Sequence, residues 1–158
     1  MNVNGAEIYC LLVPLAEGRL LIPRTCVAEV VGYQVPGEMG GAPPWYLGIV
    51  SWSGRQLPLV SFEGLCGLPI VPASSRTRIV LLHALGSRLD AGAFGLVSQG
   101  FPQLLRINAE VIRPEALPSQ MERWPVLCRA RMLNDAPLIP DFERIETLIA
   151  EETSVSAS

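Results

Sequence analysis

The sequence contains no lysine: all twelve basic residues are arginine, scattered among fifteen acidic residues for a formal net charge of −3. With no run of one sign and no basic stripe, it lacks the means to track a phosphate backbone, and nucleic acid is not an expected partner. Histidine occurs once, at His83, so a zinc site would need carboxylates from unrelated positions and no metal is expected. Cys10, Cys26, Cys66 and Cys128 stand singly, without a C-x-x-C pair, and read as free structural thiols. No apolar run approaches the roughly 20 residues that span a bilayer. The run near Cys10 is broken by Pro14 and has no basic segment before it, so a cytoplasmic location without membrane insertion is expected. What is present is 49% hydrophobic and 17% charged residues in 158, the composition of a compact protein forming one ordinary domain or two very small ones on a shared core.

Short apolar runs punctuated by glycine and proline dominate. Runs 8–15 and 19–22 read as a hairpin turned at Gly18. In "PRTCVAEVVGY", Pro23 in a first turn, Val27, Val30 and Val31 on one face and Gly32 as a stop predict a two-turn helix. "QVPGEMGGAPP" is a loop, and "WYLGIVSWSGRQLPLVSF" (45–62) is a second hairpin. Simple alternation puts Tyr46, Gly48, Val50 and Trp52 on one face, and Trp45, Leu47, Ile49 and Ser51 on the other. "GLCGLPIVPASSR" is a loop, 77–85 a strand, and "AFGLVSQGFPQLLRI" a strand broken at Gly100. "NAEVIRP" is a short helix with Asn108 as N-cap and Pro114 as stop, and a strand, a turn at Asn134-Asp135 and a shorter strand follow. The closing helix "DFERIETLIAEE" has Asp141 as N-cap and Ile145, Leu148 and Ile149 buried; "TSVSAS" is expected to be a disordered tail. Many short strands and few helices predict an all-β barrel architecture.

The inventory for catalysis is thin. His83 lies inside an apolar run, and a Cys66/His83 nucleophile pair has nothing else to support it. The glycine-rich stretches open no helix that could hold a phosphate, so no cofactor is expected. Ser51, Ser53 and Ser61 have no base beside them, and Glu143, Glu146, Glu151 and Glu152 read as a solvated helix face. No enzyme is expected. Binding has more support, because Trp45, Tyr46, Trp52 and Phe62 fall within eighteen residues. Trp45 and Tyr46 read as core; Trp52, beside a turn, reads equally as core or as an interface anchor.

The order of these pieces resembles the CheW-like domain of chemotaxis adaptors. The resemblance rests on "VAEVVGY" (27–33), "APPWYLGIVSWSGRQLPLVSF" (42–62), "GLCGLP" (64–69), "RIVLLHAL", "AGAFGLVSQGFPQLLRINAEVIRP" and "MLNDAPLIPDFERIETLI". It covers residues 7–150 as one domain of two sub-barrels, leaving 1–6 and 151–158 as tails. It implies a mainly β fold: two small five-stranded SH3-like barrels on a shared hydrophobic core, with short helices between strands and at the C-terminus. It also implies an absence of catalysis, with two partners: the CheW-like regulatory domain of a CheA-type histidine kinase and the cytoplasmic tip of a methyl-accepting chemoreceptor.

Residue by residue, the resemblance places Val27 at a receptor contact, although Val27 reads equally as helix core. It places Glu29 at the kinase contact. The family's "Leu-Arg-Gly" turn is here Trp52-Ser53-Gly54-Arg55, with Ser53 where the guanidinium usually stands and Arg55 as a candidate substitute. That departure suggests a divergent accessory adaptor of a pilus-linked (twitching motility) system, recruited to receptor arrays. The competing readings are a stand-alone β-barrel interaction module in another scaffold and a small hydrolase.

Overall fold

A computed structural model of the protein describes residues 7–157 apart from 109, 111 and 133, and side chains as far as 153. Two mixed sheets face each other across one apolar core. The first strands, β1 (Glu7–Pro14) and β2 (Arg19–Pro23), form the expected hairpin with Gly18 at φ +80°. After β3 (Val27–Gly32), a loop leads to the hairpin of β4 (Tyr46–Trp52) and β5 (Arg55–Val60). Helix α1 (Phe62–Leu65) precedes β6 (Arg78–His83), β7 (Ala93–Ser98), β8 (Gln103–Asn108) and β9 (Arg113–Glu115). The closing elements are β10 (Val126–Arg131), β11 (Leu138–Pro140) and α2 (Phe142–Ala157).

The first sheet runs β8-β1-β2-β11-β10-β9 and the second β3-β6-β7-β5-β4. The first sheet therefore has six strands rather than five, because the segment across Pro114 pairs with β10 as an edge strand, a position where the missing proline N–H costs no ladder bond. Among the described residues neither hydrogen-bond ladder closes on itself.

Alternation explains why so many strands are apolar on both sides. Leu11 and Val13 of β1, and Val80 and Leu82 of β6, enter the core shared by the two sheets and α2. Cys10 and Leu12 instead line an inner cluster of the first sheet, while Ile79 and Leu81 line one of the second. Each sheet is thus curled around its own small core and packed on a common one, which requires strands buried on both faces.

Several local expectations are overturned. Residues 27–32 are not helical; only a 3-10 turn at Arg24–Cys26 precedes strand β3, which pairs with β6. A bulge at Ala28 explains the helix-like spacing. The extra residue shifts the strand's parity, so Val27 and Val30 both face the shared core while Ala28 and Val31 face the inner one. The parity of β4 is broken likewise at Leu47, so Leu47, Val50 and Trp52 turn to the inner core and Trp45, Tyr46 and Ile49 to the shared one. The loop expected at 64–76 begins as α1, capped by Ser61 Oγ, which accepts from Gly64 N–H at 3.1 Å.

The closing helix starts as expected, with Asp141 Oδ1 accepting from Arg144 N–H at 3.1 Å. It runs on through Ala157, so the segment 153–157 is helical rather than a disordered tail. Asn108 does accept from Glu110 N–H at 2.9 Å, but the short helix expected over 108–113 includes residues 109 and 111, which lie outside the described residues.

Candidate protein-interaction site

The β4–β5 turn is built from two left-handed residues, Ser53 at φ 50° and Gly54 at φ 77°. This geometry matches the right-handed twist of the flanking strands, and Gly54 adopts it without the Cβ penalty that Ser53 bears. The tight turn sets Trp52 directly opposite Arg55. The Arg55 guanidinium carbon lies 4.9 Å from the centroid of the Trp52 ring, within cation–π range. Arg55 Nη1 also donates to Ala91 O at 2.8 Å, fixing the guanidinium against the loop before β7.

Across the sheet's open seam, Trp52 Nε1–H donates to Glu29 Oε1 at 2.9 Å. Nearby, the Gln34 side chain bonds both backbone groups of Ser51: its Nε2 donates to Ser51 O at 3.1 Å, and its Oε1 accepts from Ser51 N–H at 3.2 Å. The amide imitates a neighbouring strand and satisfies part of the free β4 edge. The structure thus brings Glu29, Trp52, Ser53, Gly54 and Arg55 into one surface cluster. Glu29, Ser53, Gly54 and Arg55 are exposed and Trp52 is half-buried against the inner core. Both readings of Trp52 hold in part: one side of the indole packs inward and its N–H edge reaches the surface carboxylate.

Val27 lies on β3, two residues before Glu29. It is half-buried and lines a groove of about 680 Å³ with Ile8, Tyr9, Leu11, Pro23 and Val30. Ile8 and Tyr9, at the start of β1, are 39% and 48% exposed. The candidate residues therefore belong to two adjoining surfaces, a charged and aromatic cluster on the turn and a mostly apolar groove between β1 and β3 whose lining also includes Glu7 and Arg24.

The family model for the CheW-like domain matches residues 9–145. The protein belongs to the CheW-like domain family. Its structure superposes on that of the scaffolding protein TtCheW from Thermoanaerobacter tengcongensis with a TM-score of 0.73, at 19% identity, over 85% of the present sequence and 89% of the other. No curated protein matches it. In this CheW-like domain Ser53 takes the first left-handed position of the turn, and the indole N–H of Trp52 donates to the Glu29 carboxylate.

The other chemical candidates do not assemble. His83 is exposed at the end of β6 and is not among the residues of the groove that Cys66 lines. Burial, and secondarily the neighbouring Glu63, pushes the Cys66 thiol up to about 12, so it carries almost no nucleophilic thiolate near neutrality. All four cysteines are free, and no metal-holding cluster occurs among the described residues. No helix among them is long and apolar enough to cross a membrane.

Two carboxylates were misread or overlooked in the sequence. Glu146 is fully buried rather than solvated; it accepts from Leu85 N–H at 2.9 Å and Gly86 N–H at 3.3 Å, anchoring α2 to the loop after β6. Its position four residues after Phe142 and three before Ile149 put it on the packed face of α2. Glu63, 3% exposed, accepts through Oε2 from Ala16 N–H at 2.9 Å and Gln99 Nε2 at 3.3 Å. Its only forewarning was an acid set within the apolar segment "LVSFEGLC".

Proposed function

We propose that this CheW-like domain is a non-catalytic chemosensory adaptor. It joins the CheW-like regulatory domain of a CheA-type histidine kinase to the cytoplasmic tip of a methyl-accepting chemoreceptor, working in the cytoplasm at membrane-associated receptor arrays. The observation that carries this reading is a pair of unlike surfaces that meet at β3. An adaptor must hold two partners at once, and here a charged aromatic cluster around Glu29 adjoins a mostly apolar groove lined by Val27, Ala28 and Val30. The apolar Val27 groove suits the helical tip of a receptor, which presents apolar anchors at helical spacing. The Glu29–Trp52–Arg55 cluster suits the kinase, since an aromatic anchor rimmed by charge is the usual make-up of a binding hot spot.

The seam of side-chain bonds from Glu29 and Gln34 to β4 supports reading the five-stranded sheet as a rolled, SH3-like barrel. Ser53 in place of the arginine that the resemblance leads one to expect supports an accessory role in a pilus-linked pathway, because the guanidinium here comes from Arg55, stacked on Trp52 and tied to Ala91 O, and so offers a partner a differently shaped surface.

Calorimetric titration with the kinase's regulatory domain tests the assignment. Trp52→Ala should weaken binding by at least about 2 kcal/mol, or about thirtyfold in Kd. Substituting Glu29 should chiefly slow association and flatten its salt dependence. A folded Trp52→Ala protein that binds the kinase domain as tightly as the parent would remove the cluster from the kinase contact.

A further inference from the structure

The groove beside Val27 runs along β1 from Glu7 to Leu11 and along β3 from Val27 to Val30. Both strands carry it further. Along β1, the register that sets Leu11 opposite Leu104 leads on to the β7–β8 link, where Gln99 N–H donates to Pro14 O at 2.9 Å. Along β3, Gly32 lies opposite Arg78, two residues or about 7 Å beyond the Val30–Val80 pair. Alternation gives Arg78 the face of Val80, which looks toward the first sheet. Phe101 of the link meets it there. The Arg78 guanidinium carbon lies 3.9 Å from the centroid of the Phe101 ring, at the end toward which both strands run.

Both side chains are held in place. Ser98 Oγ donates to Gly100 O at 2.6 Å and Pro102 confines Phe101 to extended backbone, so the ring is fixed although 71% exposed. Arg78 Nη1 donates to Ser75 O at 2.9 Å and to Thr77 O at 2.8 Å. Among the described residues its Nε–H and Nη2 edge has no partner, and that edge takes a carboxylate side-on. The surrounding charge is of one sign. Arg76 is exposed two residues earlier, and the link adds only Gln99 and Gln103. The carboxylates of neighbouring elements are engaged or turned elsewhere. Glu29 accepts from Trp52, Glu7 pairs with Arg106 at 3.3 Å, Glu63 accepts from Gln99, and Glu17 lines a different groove. We propose that the Arg78–Phe101 stack is a specificity contact at the end of the receptor groove, selecting a receptor tip whose helix sets a carboxylate beside its apolar anchors. The carboxylate takes the Nε–H and Nη2 edge of Arg78, and an adjoining apolar side chain of the tip covers the open face of Phe101. This contact rests on the receptor assignment above.

The test is a calorimetric titration of the full protein, at low and at high salt, with the soluble signalling hairpin of a methyl-accepting chemoreceptor from the same organism. Arg78→Met, which keeps the stem, should weaken binding about tenfold or more at low salt and reduce its salt dependence. Arg78→Lys keeps the charge without the planar edge and should recover only part of the loss. The aspartates and glutamates of the hairpin's tip are then changed to their amides one at a time. One amide should reproduce the loss and add nothing to that of Arg78→Met. If every amide adds its full loss to that of Arg78→Met, no carboxylate meets Arg78 and the proposal fails. Val27→Asp separates this contact from the receptor assignment. A hairpin that Val27→Asp loses, but that folded Arg78→Met binds as tightly as the parent, overturns the contact alone. A hairpin that the parent itself does not bind overturns the receptor assignment and the contact with it. Should Arg78→Met fail to fold by circular dichroism, the amide series on the parent decides: without a salt-sensitive loss of about tenfold at one position, the contact is refuted.

Discussion

Gly48→Ala is the substitution that most severely probes how the interaction surface is held. Gly48 sits at the β4 bulge with φ +141°, in a region that L residues rarely adopt. A Cβ there would fall on the Gly37 carbonyl oxygen and within 2.9 Å of Pro36 Cβ. The loop must then leave β4 and give up two bonds, Gly37 N–H to Ile49 O at 2.8 Å and Ile49 N–H to Gly37 O at 2.9 Å. Backbone strain of about 1–3 kcal/mol and two hydrogen bonds of about 1 kcal/mol each predict a loss of about 3–5 kcal/mol. For a protein of this size that corresponds to a Tm lowered by about 6–20 °C. Gly54→Ala is the control: its φ is also positive, at +77°, but no atom lies within 4 Å of the added carbon. It should cost only the left-handed penalty of about 1–2 kcal/mol. Urea titrations followed by circular dichroism compare the two. Equal midpoints for Gly48→Ala and Gly54→Ala would refute the claim that the loop pressed on β4 makes glycine obligatory there.

Glu146→Ala strands the Leu85 and Gly86 N–H groups and opens a space beneath α2, so chemical denaturation should show a loss of about 2–4 kcal/mol. Glu146→Gln keeps an acceptor and should cost less than Glu146→Ala in the same experiment. With its thiol raised to about 12 by burial and by Glu63, Cys66 should be alkylated about a thousandfold more slowly than an ordinary exposed thiol at about pH 8. Its rate should climb with pH long after exposed thiols have levelled off. Mass spectrometry of iodoacetamide-treated protein reads this, and labelling of Cys66 at the rate of an exposed cysteine would contradict the raised thiol of this half-buried residue.

The hairpins at Gly18 and Gly54, the strand at 78–83 and the Asp141 cap were legible because each depends on residues close in sequence. The β3 segment was not. Val27, Val30 and Val31 fit a helical period, and only pairing with β6, some fifty residues on, makes them a strand whose bulge mimics that period. The parity of β4 failed for the same reason, since Gly48 in the sequence gives no sign of the loop crossing over it. The site was half legible. A resemblance in motif order pointed to Glu29 and Trp52 separately, but their hydrogen bond joins the two edge strands of a sheet whose order, β3-β6-β7-β5-β4, includes a parallel β5–β7 pair.

Co-sedimentation of the full-length protein with a CheA-type kinase and receptor signalling fragments tests the adaptor claim most directly. Both partners are expected to pellet with it at once, with Trp52→Ala losing the kinase and keeping the receptor. Failure of either partner to bind at tens of micromolar, or competition between the two for one surface, would contradict the adaptor role.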